Sequence, residues 1–437
     1  QLLKTLFSEI DYEFVKLSFM EDIKRTDLDN GITVITDCLK EYESVSIGIW
    51  LEQGSRDEVA RTNGVSHFFE HMVFKGTADY SALDLVSKIE GKGGYLNAYT
   101  TRENTCFYAK VIHDDILEAV DILCQLVEKP TLNIDEFEKE KEVILEEIQG
   151  YYDQPDEWVY DILLKNIFPE HSLGYSIAGD VPTVEALKHQ DLLDHWDTQL
   201  NEGRWVISAA GKVDHEELVE WVKERLTLKK SGKAKPRIAH KPQSKSELVG
   251  RDLNQSTVAL GTVFENLSFK ERVTLNFVHQ MLGEGMSSRL FQNIREAHGL
   301  VYSIYTGVDT FDLQSLFTIS LAADPVRMIK ALDILKIEMA ALKESGWREE
   351  EFEWAKGAVV GGMIMHREST SSRMNSLTRR VMSTNADMTH AERVELVKSI
   401  KLEDVMRFTE MLVDAEWSGA MIHPNGKGFS LEPYLKF

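Results

Sequence analysis

The chain has 437 residues, 43% of them hydrophobic and 28% charged, a globular composition long enough for two or three domains. Its 49 Lys and Arg stand against 72 Asp and Glu, a formal net charge of −23, so it repels phosphate backbones, favours cationic ligands and is not expected to bind nucleic acid. No apolar run reaches the ~18 residues a bilayer crossing needs, and no basic-then-apolar leader opens the chain, so a membrane protein is not expected either.

Residues 1–24 mix apolar and acidic side chains without a period and are read as an N-terminal extension; Gln1 rather than Met comes first, as a processing boundary would leave it. The first clear element spans residues 28–35, where Asp29-Asn30-Gly31 supplies a turn and Ile32-Thr33-Val34-Ile35 a β-branched strand. In residues 44–50 Val45, Ile47 and Ile49 alternate with small residues, which predicts a half-buried strand whose small face lies under packed helices. Cys38, Cys106 and Cys124 are odd in number, widely spaced and without a CxxC pair. That argues against a disulfide scaffold or a thiolate zinc site and fits a reducing, cytoplasmic setting.

Helical and strand patterns alternate from there to about Leu228. Residues 229–245 then carry seven Lys or Arg and no acid, broken by Gly232, Pro236 and Pro242, and are read as a basic linker. It divides the chain into domains at residues 25–228 and 246–437. The halves look related: Ala119-Val120-Asp121-Ile122-Leu123 parallels Ala331-Leu332-Asp333-Ile334-Leu335, and Asp135-Glu136-Phe137-Glu138 parallels Glu350-Glu351-Phe352-Glu353. The fold class expected is α+β, two related domains, each a mainly antiparallel sheet with helices packed on one face.

The sharpest signal is His67-Phe68-Phe69-Glu70-His71. On a helix the histidines, four apart, share a face, and Glu70 lies near it. Imidazole nitrogen suits Zn²⁺, and a catalytic site wants three protein ligands with a fourth position for water. Composition alone would yield such a string in roughly a few per cent of chains this rich in histidine, so its setting decides. Gly64-Val65-Ser66 offers a helix start with Ser66 near the cap, and Lys75-Gly76 a stop.

The inverted zinc motif followed by Met72-Val73-Phe74-Lys75-Gly76-Thr77 resembles the pitrilysin and mitochondrial-processing-peptidase family of metallopeptidases, especially its bacterial members of about this length. The resemblance covers nearly the whole chain from about Leu28. It implies a zinc endopeptidase, an inverzincin, with one Zn²⁺ per chain, and it makes Glu147, in the run from Glu140 to Glu147, the third ligand beside His67 and His71. Glu140 and Glu147 are two helical turns apart and can share a face, whereas Glu146 points elsewhere. A solvated helix face is the alternative for Glu140, Glu142 and Glu146, and is expected for the latter two. Glu140 resembles the family's second acid, which orients a histidine ligand.

With zinc acidifying water, Glu70, free of ligand duty, would serve as general base. The segment Arg295-Glu296-Ala297-His298-Gly299-Leu300-Val301-Tyr302 resembles the family stretch with a paired Arg and Tyr, so Arg295 and Tyr302 would bind substrate or stabilise the transition state; an exposed helix-end Arg and a strand Tyr are the alternative. Asn97 and Ala98, after the Gly91-Lys92-Gly93-Gly94 turn, resemble the family's substrate-binding edge strand, against the alternative of an ordinary edge. Matching Phe137 with Phe352 sets Ala355 opposite Glu140 and Gly362 opposite Glu147, so the second half carries no such metal site. Because both functional sets occur in one chain, a homodimer is expected in which Arg295 and Tyr302 reach the partner's zinc site, with extended peptides or unfolded segments as substrate. The rival readings are a non-catalytic structural subunit of the same fold and an active subunit needing a different, inactive partner.

Overall fold

The computed structural model describes residues 22–228, 231–233, 236–382, 388–424 and 426–437; residues 1–21 of the expected extension, and part of the basic linker, lie outside the described residues. Two mixed sheets organise the chain. The first holds β1 (Ile23–Asp27), β2 (Thr33–Cys38), β3 (Ser44–Leu51), β4 (Tyr95–Thr100), β5 (Thr105–Ile112) and β6 (Trp205–Gly211) in the order β1-β2-β6-β3-β5-β4. The second holds β7 (Ser246–Gly250), β8 (Ser256–Glu265), β9 (Ser303–Thr310), β10 (Gln314–Ala323) and β11 (Ser418–His423) in the order β7-β11-β8-β10-β9. Apart from β1, the two orders are the same. In each, one pair is parallel, β2 with β6 and β7 with β11, and the other pairs are antiparallel. Strand β1 escaped the sequence pattern because it is an edge strand, Ile-Lys-Arg-Thr-Asp, with little apolar alternation to read.

The first half's helices are α1 (Val65–Val73), α2 (Ala82–Glu90), α3 (Ile116–Glu128), α4 (Ile134–Tyr152), α5 (Pro155–Ile167), α6 (Val181–Ala186), α7 (His189–Glu202) and α8 (His215–Arg225). The second half adds α9 (Phe269–Leu282), α10 (Pro325–Ser345), α11 (Glu349–His366), α12 (Thr370–Met382), α13 (His390–Ser399) and α14 (Leu402–Val413). Most of each half's own helices bury one face of its sheet. In the first half Val45, Ile47 and Ile49 of β3 meet Phe68 and Phe69 of α1 and Ala119, Ile122 and Leu123 of α3 in one core. Among the described residues no helix is long and apolar enough to cross a membrane.

The opposite face of each sheet takes a helix from the other half. Ile35, Trp50, Cys106, Val206 and Ala210 of the first sheet pack on Met374, Leu377 and Val381 of α12. Reciprocally, Val159, Leu163 and Leu164 of α5 pack on Ala259, Leu316, Ala420 and Ile422 of the second sheet. The small face predicted for β3 serves this exchange. Ser46 Oγ lies 2.8 Å from Thr370 Oγ1, and a Cβ on Gly48 would meet the Trp50 ring at 2.4 Å.

The segment following α8 is tied down where described. Arg237 is buried against Asp57 Oδ2 at 3.1 Å and donates to the Glu103 carbonyl at 2.8 Å, while Glu103 accepts the Asp312 N–H. This buried ion network also joins the two halves through the Glu103–Asp312 contact, and Arg56, paired with Glu103, ties in the linker by donating to the Ile238 carbonyl at 3.1 Å.

Candidate metal centre

Helix α1 is amphipathic by its spacing. Val65, Phe68, Phe69, Met72 and Val73 recur at i, i+3, i+4, i+7 and i+8 and are all buried, which turns His67, Glu70 and His71 to the other side. Burying Phe68 and Phe69 contributes roughly 2–3 kcal/mol each to holding that orientation. Ser66, expected near the cap, is instead the second helical residue; the N-cap is Gly64, at φ 95°, without a side-chain cap of its own. Glu58 supplies the missing acceptor, taking the N–H groups of Gly64 and Ser66 at 2.8 Å each and the Asn63 amide at 3.0 Å.

Helix α4 lies across α1, anchored by Phe137 stacked on Phe68 with ring centroids 4.5 Å apart. Its buried stripe runs Phe137, Glu140, Ile144, Ile148, while Glu142 and Glu146 are exposed. Glu147 therefore faces the α1 histidines. His71 Nε2 stands 3.4 Å from Glu147 Oε2, and His67 Nε2 3.8 Å from Glu147 Oε1. One ligand atom from each of the three residues fits within 4.8 Å of the others.

That donor set fits zinc. Tetrahedral bonds of about 2.0–2.1 Å separate neighbouring ligand atoms by about 3.4 Å, close to the spacings observed. Glu140 accepts from His71 Nδ1 at 2.9 Å, which leaves Nε2 directed at Glu147, and Lys75 pairs with the same carboxylate. Lys75, quoted in the sequence only as part of a motif, thus braces Glu140 from the end of α1. His67 Nδ1 is buried with no hydrogen-bond partner among the described residues.

Electrostatics separates the two rings. Burial, reinforced by the neighbouring His71, pulls the His67 pKa down to about 4. Burial also opposes a charge on His71, but hydrogen bonds to Glu140 and Glu147 outweigh it and push that ring up to about 9. The bond from His71 holds the Glu147 carboxyl below its ordinary range. Glu70 behaves oppositely: burial raises its pKa, restrained by the Thr100 hydroxyl.

The remaining candidates fall in two places. Asn97 and Ala98 lie on β4, at the edge of the first sheet, where the Ala98 N–H is taken by Asn97 Oδ1 at 2.8 Å. Arg295 lies over the Phe291 ring at 4.7 Å, and Tyr302, just before β9, is 71% exposed. Among the described residues no hydrogen bond, ion pair or ring contact joins Arg295 or Tyr302 to the α1–α4 cluster. In the second half Phe277 of α9 stacks on Phe352 of α11 as Phe68 does on Phe137. Asn276, His279 and Gln280 then occupy the places of His67, Glu70 and His71, so the metal-binding pattern is absent there. An open cavity of about 430 Å³ beside the first-half cluster is lined by Glu147, Gly150, Tyr151, Gln154 and Glu157. Sequence reading missed two groups at this centre, Glu58 and Thr100, whose partners come from other elements.

Comparison with known proteins places these features in context. Residues 33–181 match the family described as Insulinase (Peptidase family M16), and residues 186–359 match the Peptidase M16 inactive domain. A protein of Mycobacterium tuberculosis named an uncharacterized zinc protease is 32% identical over 94% of this chain and 96% of its own. YmxG of Bacillus subtilis, also named an uncharacterized zinc protease, is 32% identical over 92% of this chain and 99% of its own. The fold matches a protease from Helicobacter pylori with a TM-score of 0.84 at 20% identity, covering 93% of this chain and 100% of that one. It also matches a peptidase M16 inactive domain structure from Pseudomonas fluorescens with a TM-score of 0.83 at 16% identity, covering 92% and 98%.

Proposed function

The chain belongs to peptidase family M16, the insulinase or pitrilysin family, and from that premise we propose that it is a zinc-dependent endopeptidase acting on extended peptides or unfolded segments. The observation that carries the reading is the convergence of Glu147 of α4 on His67 and His71 of α1, the face that also carries Glu70. These three residues would hold one zinc ion per chain. When bound, zinc supplies a Lewis acid that acidifies water and polarises a carbonyl.

The chain's own groups supply the rest. Glu140 fixes the His71 ring by accepting from Nδ1. Glu70, half-buried and not a ligand, takes a proton from water on its carboxylate and returns it to the leaving nitrogen; burial moves its pKa toward the working range of a general base. Strand β4 offers an unpaired edge to an extended peptide, with Asn97 shielding the Ala98 N–H until a substrate strand replaces it. Arg295 and Tyr302, which make no direct contact with their own chain's cluster among the described residues, act on the site of a second copy in a homodimer.

Purified protein dialysed against zinc, then freed of excess, is expected to retain one ion per chain. Glu70→Gln should keep that zinc while cleaving a pool of quenched unstructured peptides at least ~100-fold more slowly. A chain that retains no stoichiometric zinc would instead be the non-catalytic subunit of this fold.

A further inference from the structure

Strand β4 and the Glu70 carboxylate are physically joined. Thr100, the last residue of β4, donates its hydroxyl to Glu70 Oε2 at 2.5 Å. Among the described residues Thr100 provides the one side-chain hydrogen bond to Glu70. The strand's register shows which backbone groups of β4 lie on its free edge. Ala98 pairs with Phe107 and Thr100 with Thr105 across β5, yet the Ala98 N–H is satisfied by Asn97 Oδ1 and so points away from β5. Backbone groups two residues apart on a strand point the same way, so the Thr100 N–H also faces the free edge. The free edge of β4 thus ends at the residue that holds the proton acceptor, about 6.6 Å along the strand from Ala98.

We propose that Thr100 is a positioning residue that locks the Glu70 carboxylate to the peptide-docking edge of β4. The inference rests on the reading of Glu70 as general base and goes beyond it: one rigid strand sets both where a peptide pairs and where its proton acceptor stands. A Glu side chain has three free torsions, and without Thr100 the carboxylate would leave the reacting position for much of the time. Peptide pairing would continue, because the backbone edge at Ala98 is untouched. The zinc ligands would also stay, because His67, His71 and Glu147 take their positions from α1 and α4.

The test compares Thr100→Val, which keeps shape and backbone but removes the hydroxyl, with Thr100→Ser, which restores it. The substrate is one quenched ten-residue peptide selected from the pool the wild-type chain cuts. Thr100→Val is expected to lower kcat ~10–100-fold, with KM within about threefold of wild type. Zinc affinity, read by chelator competition, and melting temperature should stay at wild-type values, and Thr100→Ser should recover kcat to within about threefold. Unchanged kcat in Thr100→Val, or loss of zinc or of melting temperature alongside kcat without rescue by Ser, would overturn the proposal. Glu70→Gln run in parallel separates the two levels. If it retains wild-type kcat, the base assignment falls and takes Thr100 with it; if it is inactive while Thr100→Val is fully active, only the Thr100 assignment falls.

Discussion

Helix α1 begins at a glycine that no other residue could replace without strain, since Gly64 has φ 95° and a Cβ there would lie 2.6 Å from the Ala178 carbonyl oxygen. A glycine has no side chain to cap the helix, and the carboxylate of Glu58 takes over by receiving the N–H groups of Gly64 and Ser66. Burial pushes the Glu58 pKa up to about 7, the three donors only partly restraining it. The sign follows from linkage. A carboxyl whose pKa is raised on folding binds its proton more tightly in the folded state, so its contribution is fully present below the unfolded value of 4.5 and is lost as pH rises through 7. The unfolding free energy of wild type relative to Glu58→Gln should therefore fall by up to ~3 kcal/mol between pH 4.5 and pH 8, read from urea titrations at each pH. A difference that stays flat across this range, or grows, would refute the assignment. Nothing in the sequence exposes this residue. Glu58 stands nine positions before His67 on another element, and helical spacing relates only side chains on one element. His67, Glu70 and His71 obey such spacing, as do Glu140 and Glu147, so their shared faces are legible in the sequence.

At the scale of elements, the exchange of α5 and α12 is what spacing could half reveal. Strand β3 announces two faces, Val45, Ile47 and Ile49 against Ser46, Gly48 and Trp50, and the small residues ask for a close neighbour. Which helix comes close is unreadable locally, because α12 lies more than 300 residues downstream. The same distance effect hides the place of β6, which inserts between β2 and β3 after some 150 intervening residues. Sequence periodicity reports a face, whereas sheet order depends on which faces meet in the whole chain. Met374 gives the exchange a measurable consequence. It is 1% exposed, belongs by sequence to the second half, and packs on the first sheet. Met374→Ala should cost ~2–4 kcal/mol of stability. Amide exchange should accelerate first in β3 and β6, and acceleration confined to β8 and β10 would contradict the exchanged packing.

The whole molecule is one five-stranded plan used twice, with the metal-binding pattern kept in one copy. Both copies stack a phenylalanine pair at the same helix crossing, Phe68 on Phe137 and Phe277 on Phe352, so the scaffold holding the cluster recurs although the ligands do not. Duplication thus frees the second half to serve another role, and Arg295 and Tyr302 lie there, without direct contact to their own chain's cluster among the described residues. A symmetric pair of chains in which each second half faces its partner's first half would bring the two sets together twice. The proposed homodimer predicts complementation. A Glu70→Gln chain keeps its Arg295 and Tyr302, and an Arg295→Ala chain keeps its Glu70, so a mixed dimer assembles one site with every group and one site lacking two. Equimolar chains unfolded together and refolded give about half mixed dimers with one intact site of two, or about a quarter of wild-type activity, while each parent alone stays near background. If sizing and differential tagging show that mixed dimers form and the activity remains the mean of the parents, each chain completes its own site and the shared-site arrangement is wrong.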